Sequence, residues 1–598
     1  MSPLVQAALS LACLCFVAAE DPAIEIASGK LSGESVEFSH RDVDIVRKVN
    51  IFRGVPYAKP PVGDLRFRPP QTDVRWDGVY RATTFGSACI QAYDPLEPIT
   101  EPLSEDCLYL NVYVPETTDS GPLPVMVWIH GGGFYMGSAA KGYDNGTPLA
   151  AIGEVVVVTL NYRLGPLGFL STGDEYALGN YGLLDQMAAL QWVHDNIEAF
   201  GGDNKKVTIF GESVGSMSSD YLFLSPLTNG LFQRVIMQSG NTPIKGFIGT
   251  DSHLQRRKAH ALGTVLGCER ETTEELMRCL RNLPSEDFKD ASDNVKAKDM
   301  IANIIGQELG VIAFTPVVDG YFLTEDPSTI VEKMSFPNSG IDIMLGNLAD
   351  EGMYFVSMVL PEVWNEPWVS MNRTVYESHV NTFLTDGKMK TDPAVQEAIR
   401  LMYVNWENAD FDDADYVDSL SQQLGDMYFV CPTDISARAY AKAGFNVYKY
   451  HITHTPSKSF WPLKWMKAAH AEDIPIVFGW HFVDGMDWDV SKEEVNMILT
   501  VMKYWTNFAK TGNPNLPNED TTLSEEEVQG MWPLFKVPGL AYKELSLKME
   551  TKRALKAKEC AFWNDFIPKL MSIKDSAEKC SPENDESRKY AEEANINQ

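Results

Sequence analysis

One pentapeptide constrains this chain more than any other feature: Gly211-Glu212-Ser213-Val214-Gly215. It follows a β-branched, apolar run, Val207-Thr208-Ile209-Phe210, and precedes a segment that reads as a helix from Val214 to about Leu224. Gly-x-Ser-x-Gly between a strand and a helix is the pattern of a nucleophile elbow. The turn must be sharp, which forces the serine into a sparsely populated backbone conformation. Flanking glycines let strand and helix approach closely. The hydroxyl is then presented at the carboxyl edge of a sheet, facing the positive end of a helix dipole. A chain of 598 residues carries about 0.2 such pentapeptides by chance at ordinary glycine and serine frequencies, so the motif alone decides little.

A nucleophilic serine also needs an oxyanion hole, a base and an orienting acid. The strand candidate Val125-Met126-Val127-Trp128-Ile129 runs directly into His130-Gly131-Gly132-Gly133-Phe134. Three glycines after a buried strand cost conformational entropy and supply nothing to pack. Their use is to bring bare N–H groups to a developing oxyanion, as in loops of the HGGG type. The acid and then the histidine should follow the serine, each past a strand end. Ile341–Leu345 reads as a strand leading into a loop, Gly346 to Gly352, that holds Asp350 and Glu351. Asn446–Tyr450 reads as another, followed by a loop holding His470. With 82 acidic residues and 10 histidines, spacing alone cannot choose, and His451 and His454 lie nearer the strand end than His470.

A resemblance makes the choice. Phe52-Arg53-Gly54-Val55-Pro56-Tyr57-Ala58, Ser104-Glu105-Asp106-Cys107-Leu108-Tyr109-Leu110-Asn111-Val112, Asn161-Tyr162-Arg163-Leu164-Gly165 and Gly179 to Gln186 occur in order, followed by Phe232 to Gly240. With the two motifs above they make the chain similar to type-B carboxylesterases, the cholinesterase-like branch of the α/β-hydrolases, from about Phe52 to Leu570. The resemblance implies an α/β-hydrolase fold: a mostly parallel central sheet flanked by helices, with long insertions. It implies Ser213 as nucleophile, Glu351 as acid and His470 as base, with the amides of Gly132, Gly133 and Val214 as oxyanion donors. It implies the disulfides Cys89–Cys107, Cys268–Cys279 and Cys431–Cys560, leaving Cys580 over. Two positions depart from the family pattern. Val214 stands where Ala is usual and crowds the elbow with a branched side chain. Asp473 stands where Glu is usual, one methylene shorter.

Residues 1–19 contain no charged side chain and end in Val17-Ala18-Ala19, which reads as a secretory signal peptide. The expected organisation is a signal peptide at 1–19, one catalytic domain at 20–570 and a polar tail at 571–598, extended or weakly helical. No linker, repeat or other membrane-length apolar stretch interrupts the chain, so a secreted, extracellular protein without a membrane span is expected. Secretion makes Asn145-Gly146-Thr147 and Asn372-Arg373-Thr374 glycosylation acceptors if exposed. A cysteine left over in a polar tail points to a homodimer bridged through Cys580. The formal charge of −31 argues against nucleic acid as a partner. No Cys/His group has zinc spacing; His451-Ile452-Thr453-His454 reads as packing. No cofactor or metal is called for.

Two function classes remain. One is a secreted serine carboxylesterase acting on small-molecule esters. The other is a catalytically inactive cholinesterase-like binding or adhesion protein. Among esters, neutral ones are expected to be preferred over choline esters. Cholinesterases seat the quaternary ammonium on a Trp ahead of the Ser-Glu-Asp-Cys motif. Here the loop Ile90–Leu103 has no Trp and puts Glu97 at that spacing. Gly310 and Ile312 stand near bulky acyl-pocket positions, implying a wider pocket.

Overall fold

Strands buried on both faces fit only the middle of a parallel sheet covered by helices. This chain has three clear cases among the described residues, Val156–Leu160, Arg234–Gln238 and Val447–Ile452, every residue of which is buried. The structure, a computed structural model, describes residues 21–579 apart from 93–98, 100, 119–120, 141, 245, 290, 292–298, 300, 304–311, 361–367, 383, 385–386, 462 and 518–529. The expected signal peptide, Glu97, Gly310 and Cys580 lie outside the described residues.

The main sheet has eleven strands. In chain order they are β1 (Glu34–His40), β2 (Val43–Pro56), β3 (Tyr109–Pro115), β4 (Leu123–Ile129), β5 (Val156–Leu160), β6 (Gly202–Glu212), β7 (Arg234–Gln238), β8 (Asp342–Leu348), β9 (Val447–Ile452), β10 (Ala541–Leu545) and β11 (Thr551–Arg553). Their spatial order is 11-10-9-8-7-6-4-5-3-2-1. Strands β5, β4, β6, β7, β8, β9 and β10 are mutually parallel, and antiparallel hairpins close both edges. The chain is thus an α/β-hydrolase fold with a mostly parallel sheet, as the resemblance implies.

β4 pairs with β5 on one side and β6 on the other, both in parallel. The chain therefore leaves β4 in one direction and returns in the opposite one. Such a reversal opens a crevice beyond the carboxyl ends of the strands, where α/β sheets bind ligands. The Gly131–Gly133 loop leaves β4 there, and Ser213 follows β6 directly.

β8 and β9 are longer than their composition suggests, running to Leu348 and Ile452 rather than stopping at Leu345 and Tyr450. Gly346 stays in β8 because the Tyr450 ring of β9 covers it, and a Cβ there would lie 2.4 Å from that ring. Asn347 is fully buried, its amide donating to Thr433 Oγ1 at 3.2 Å. The disulfides in the structure are Cys89–Cys107, Cys268–Cys279 and Cys431–Cys560. The last helix, Ile567–Lys579, continues past the expected domain end at Leu570. No helix among the described residues is long and apolar enough to cross a membrane.

Candidate active site

The elbow is built by steric necessity. Ser213 sits at φ 59° and ψ −124°, a region that costs an L-residue on the order of 1–3 kcal/mol. Two contacts hold it: its N–H donates to Gln238 O at 2.9 Å, and its carbonyl accepts from Met217 N at 3.0 Å. The helix Val214–Leu224 begins at once and is buried along its whole length. A Cβ on Gly215 would lie 2.1 Å from Ile129 O, so only glycine lets this helix cross the end of β4. Val214 is buried, and as the first helical residue its N–H has no acceptor within the helix.

The glycine loop lies against the serine. A Cβ on Gly131 would stand 2.8 Å from Glu212 Oε2 and 3.2 Å from Ser213 Cβ. Gly132 and Gly133 have φ of 96° and 61°, the left-handed region where a side chain is strained. Gly132 O accepts from both Tyr135 N and Met136 N, which closes the turn. Gln91 braces its far side, accepting from Gly137 N at 2.8 Å and donating to Gly137 O at 2.9 Å. His130 stacks on Tyr162, whose hydroxyl donates to His130 O.

Glu351, just past β8, is buried and gathers three donors. Its Oε1 accepts from Leu348 N at 2.8 Å and from Ser239 Oγ at 2.6 Å. Its Oε2 lies 2.7 Å from His470 Nδ1. That contact puts a proton on Nδ1. Nε2 lies 3.1 Å from Oε1 of Glu212, the residue before Ser213. The ring of His470 packs on Phe429 and Tyr354, and its carbonyl accepts from Trp461 Nε1 at 2.6 Å.

Burial alone would depress the His470 pKa. The Glu212 charge, the Glu351 hydrogen bond and charge, and Asp473 more than offset it and push the imidazole up to about 9. Asp473 itself is pushed up to about 6 by burial, against the pull of Gln238. Its Oδ2 accepts from Gln238 Nε2 at 2.8 Å, and Gln238 Oε1 accepts from Trp505 Nε1 at 2.9 Å. The shorter Asp at this position therefore ties the helix Ile474–Phe478 to the end of β7.

Two expectations for other histidines resolve separately. His451 is buried inside β9, its ring packed edge-on to Tyr542, and His454 contacts Glu494 Oε1 at 3.0 Å. Glu212 is the residue that motif reasoning passed over. Its only sequence signal is an acidic side chain directly before the motif serine. Asn372 is exposed and caps the helix Arg373–His379 through a bond from Val375 N. Asn145 is partly buried, its Oδ1 accepting from Thr147 N.

A strained serine at a sheet switch point, a glycine-rich loop beside it, and a carboxylate–imidazole pair beyond the next strands define a class of α/β-hydrolases. The chain belongs to the carboxylesterase family, whose model matches residues 20–563. It is 35% identical to acetylcholinesterase of Bungarus fasciatus over 547 residues, covering 89% of this chain and 85% of that protein. It is 34% identical to neuroligin-3 of Mus musculus over 618 residues, covering 95% of this chain and 71% of that protein.

Proposed function

We propose that the protein is a secreted serine esterase that hydrolyses carboxylic esters through an acyl-enzyme. The observation that carries this reading is the 2.7 Å contact of Glu351 with His470 Nδ1, which turns Nε2 toward Glu212, the residue before the serine. His470 takes the Ser213 proton as the hydroxyl attacks the ester carbonyl. The amides of Gly132, Gly133 and Val214 hold the tetrahedral oxyanion. His470 protonates the departing alcohol, then activates water to release the acid. Glu351 fixes the tautomer and stabilises the imidazolium. Neutral esters are the preferred substrates, and Asn145 and Asn372 carry glycans.

The similarity to neuroligin-3 favours a second reading, an inactive binding or adhesion protein that keeps the fold. Against it stands the presence of all three catalytic groups and the glycine loop, since function resides in the site rather than the fold. Covalent labelling with an organophosphorus probe, together with turnover of a short-chain ester, separates the two. Ser213→Ala should lose labelling, with turnover falling to a residue on the order of 10³-fold over water. A wild type that neither labels nor turns over esters would establish the second reading.

A further inference from the structure

His40, Asp42 and His481 form a second cluster of ligand-type side chains, their donor atoms all within 4.8 Å of one another. His40 ends β1, Asp42 lies in the turn to β2, and His481 comes from a short 3₁₀ turn, Trp480–Phe482. Asp42 and His481 are 439 residues apart, so no sequence spacing could have shown the site.

The hydrogen-bond roles at His481 are fixed from one side. Its Nδ1 lies 3.1 Å from the carbonyl of Trp488, which can only accept, so Nδ1 carries a proton. Nε2 then points at Asp42 Oδ2, 2.8 Å away. In the neutral ring this sets a lone pair against a carboxylate, an arrangement relieved by a cation: either a second proton on the ring or a metal ion ligated by both atoms from one side. An imidazole held by a backbone carbonyl through its far nitrogen is the usual support of a metal-ligating histidine. His40 Nδ1 accepts a long bond from Asp42 N–H at 3.3 Å, which keeps that nitrogen unprotonated, and it stands 3.7 Å from the same Oδ2. A second proton on His481 leaves His40 a bystander, whereas a metal ion uses all three groups.

The surroundings suit a divalent cation. Asp484 adds negative potential at His40, while Arg41 opposes it and approaches Asp42 Oδ2 with its Nε at 3.3 Å. The His481 side chain is 2% exposed and that of Asp42 36%, so the site has a rigid floor and an open mouth. Two imidazoles and one carboxylate are ordinary zinc ligands, with further positions left for water.

We infer that His40, Asp42 and His481 bind one Zn²⁺ ion that staples the β1–β2 turn to the segment following His470. Trp480 is fixed on the other side by its Nε1 bond to Tyr143 O, so the ion completes a clamp on the chain downstream of Asp473.

The test uses the full secreted chain, stripped with a chelator and titrated with Zn²⁺ alone by calorimetry, with melting temperature and the visible spectrum of the Co²⁺ form as parallel readouts. One equivalent should bind the wild type and raise its melting temperature as metal concentration rises. His40→Gln and Asp42→Asn, in a surface turn, should each weaken binding at least tenfold and abolish the thermal response. Arg41→Ala should tighten binding, because it removes the competing cation. Equal binding and thermal response in wild type, His40→Gln and Asp42→Asn would overturn the inference. So would a wild type with no stoichiometric uptake, which would leave a protonated His481–Asp42 ion pair as the sole content of the cluster.

Discussion

Glu212 and His470 face each other beside the nucleophile, carboxylate Oε1 3.1 Å from imidazole Nε2. On the proposed mechanism, a negative charge there stabilises the imidazolium that forms as Ser213 gives up its proton, and it also raises the pH needed to free the base. The His470 pKa, pushed up to about 9, reports that balance. The active form of a general base is the deprotonated one, so kcat/KM should rise with pH along a limb set by His470 in the free enzyme. Glu212→Gln should move that limb to lower pH while reducing the plateau. A pH–rate profile with an unmoved limb would show that the glutamate charge does not reach the base.

His470→Ala should match Ser213→Ala in lost ester turnover, because the two act as one unit. His451→Ala and His454→Ala should retain turnover. Kinetics on the four purified variants check this, and the base assignment fails if His451 or His454 is the one that inactivates.

Acid stability should depend on His451. Burial, with Lys556 nearby, holds its pKa down at about 3 against an ordinary 6.5. Between those values the unfolded chain binds the proton and the folded one does not. The contribution is therefore complete above 6.5 and lost as pH falls from 6.5 towards 3. Asp473 and Glu472, whose pKa values burial raises to about 6 and about 7, titrate across part of the same interval with opposite sign. The comparison of wild type with His451→Gln isolates the histidine. Denaturant midpoints measured from pH 7 to pH 4 should fall less steeply in the variant.

Choline esters should be poorer substrates than neutral esters of the same size. An indole face is worth roughly 2 kcal/mol to a desolvated cation, about thirtyfold in affinity. The segment from Ile90 to Leu103 offers none. Values of kcat/KM for acetylcholine and 3,3-dimethylbutyl acetate decide the matter, and a clear preference for acetylcholine would overturn the expectation.

The protein should run partly as a disulfide-linked dimer. Cys580 follows the last described helix, Ile567–Lys579, and beyond the expected signal peptide is the cysteine left over once the three bridges are formed. Non-reducing electrophoresis should show a dimer that Cys580→Ser removes.

Much of this site could be read from sequence because its parts are local. The elbow needs glycine at 215 to clear Ile129 O, so the requirement is written into five consecutive residues. The helix Val214–Leu224 and the strand ending at Ile129 were equally plain from their apolar runs. His470 was not. Nothing near it in sequence distinguishes it from His451, and only family resemblance selected it. The extra length of β8 was hidden because Gly346 and Asn347 look like loop residues until Tyr450 and Thr433 are placed beside them. Glu212 and the His40–Asp42–His481 cluster depend wholly on tertiary contact.

The partners that converge on His470 come from distant parts of the chain: Glu351 lies 119 residues before it, and Gln238 is 235 before Asp473. A growing chain completes the serine elbow and glycine loop long before it contains a base. Contacts at such separation form late, after the cost of closing long loops has been met. On the proposed function, ester turnover is therefore a report on chain completion. A truncated or partly folded molecule could present a strained, correctly turned Ser213 and still be silent, which would confine the chemistry to molecules that have finished folding.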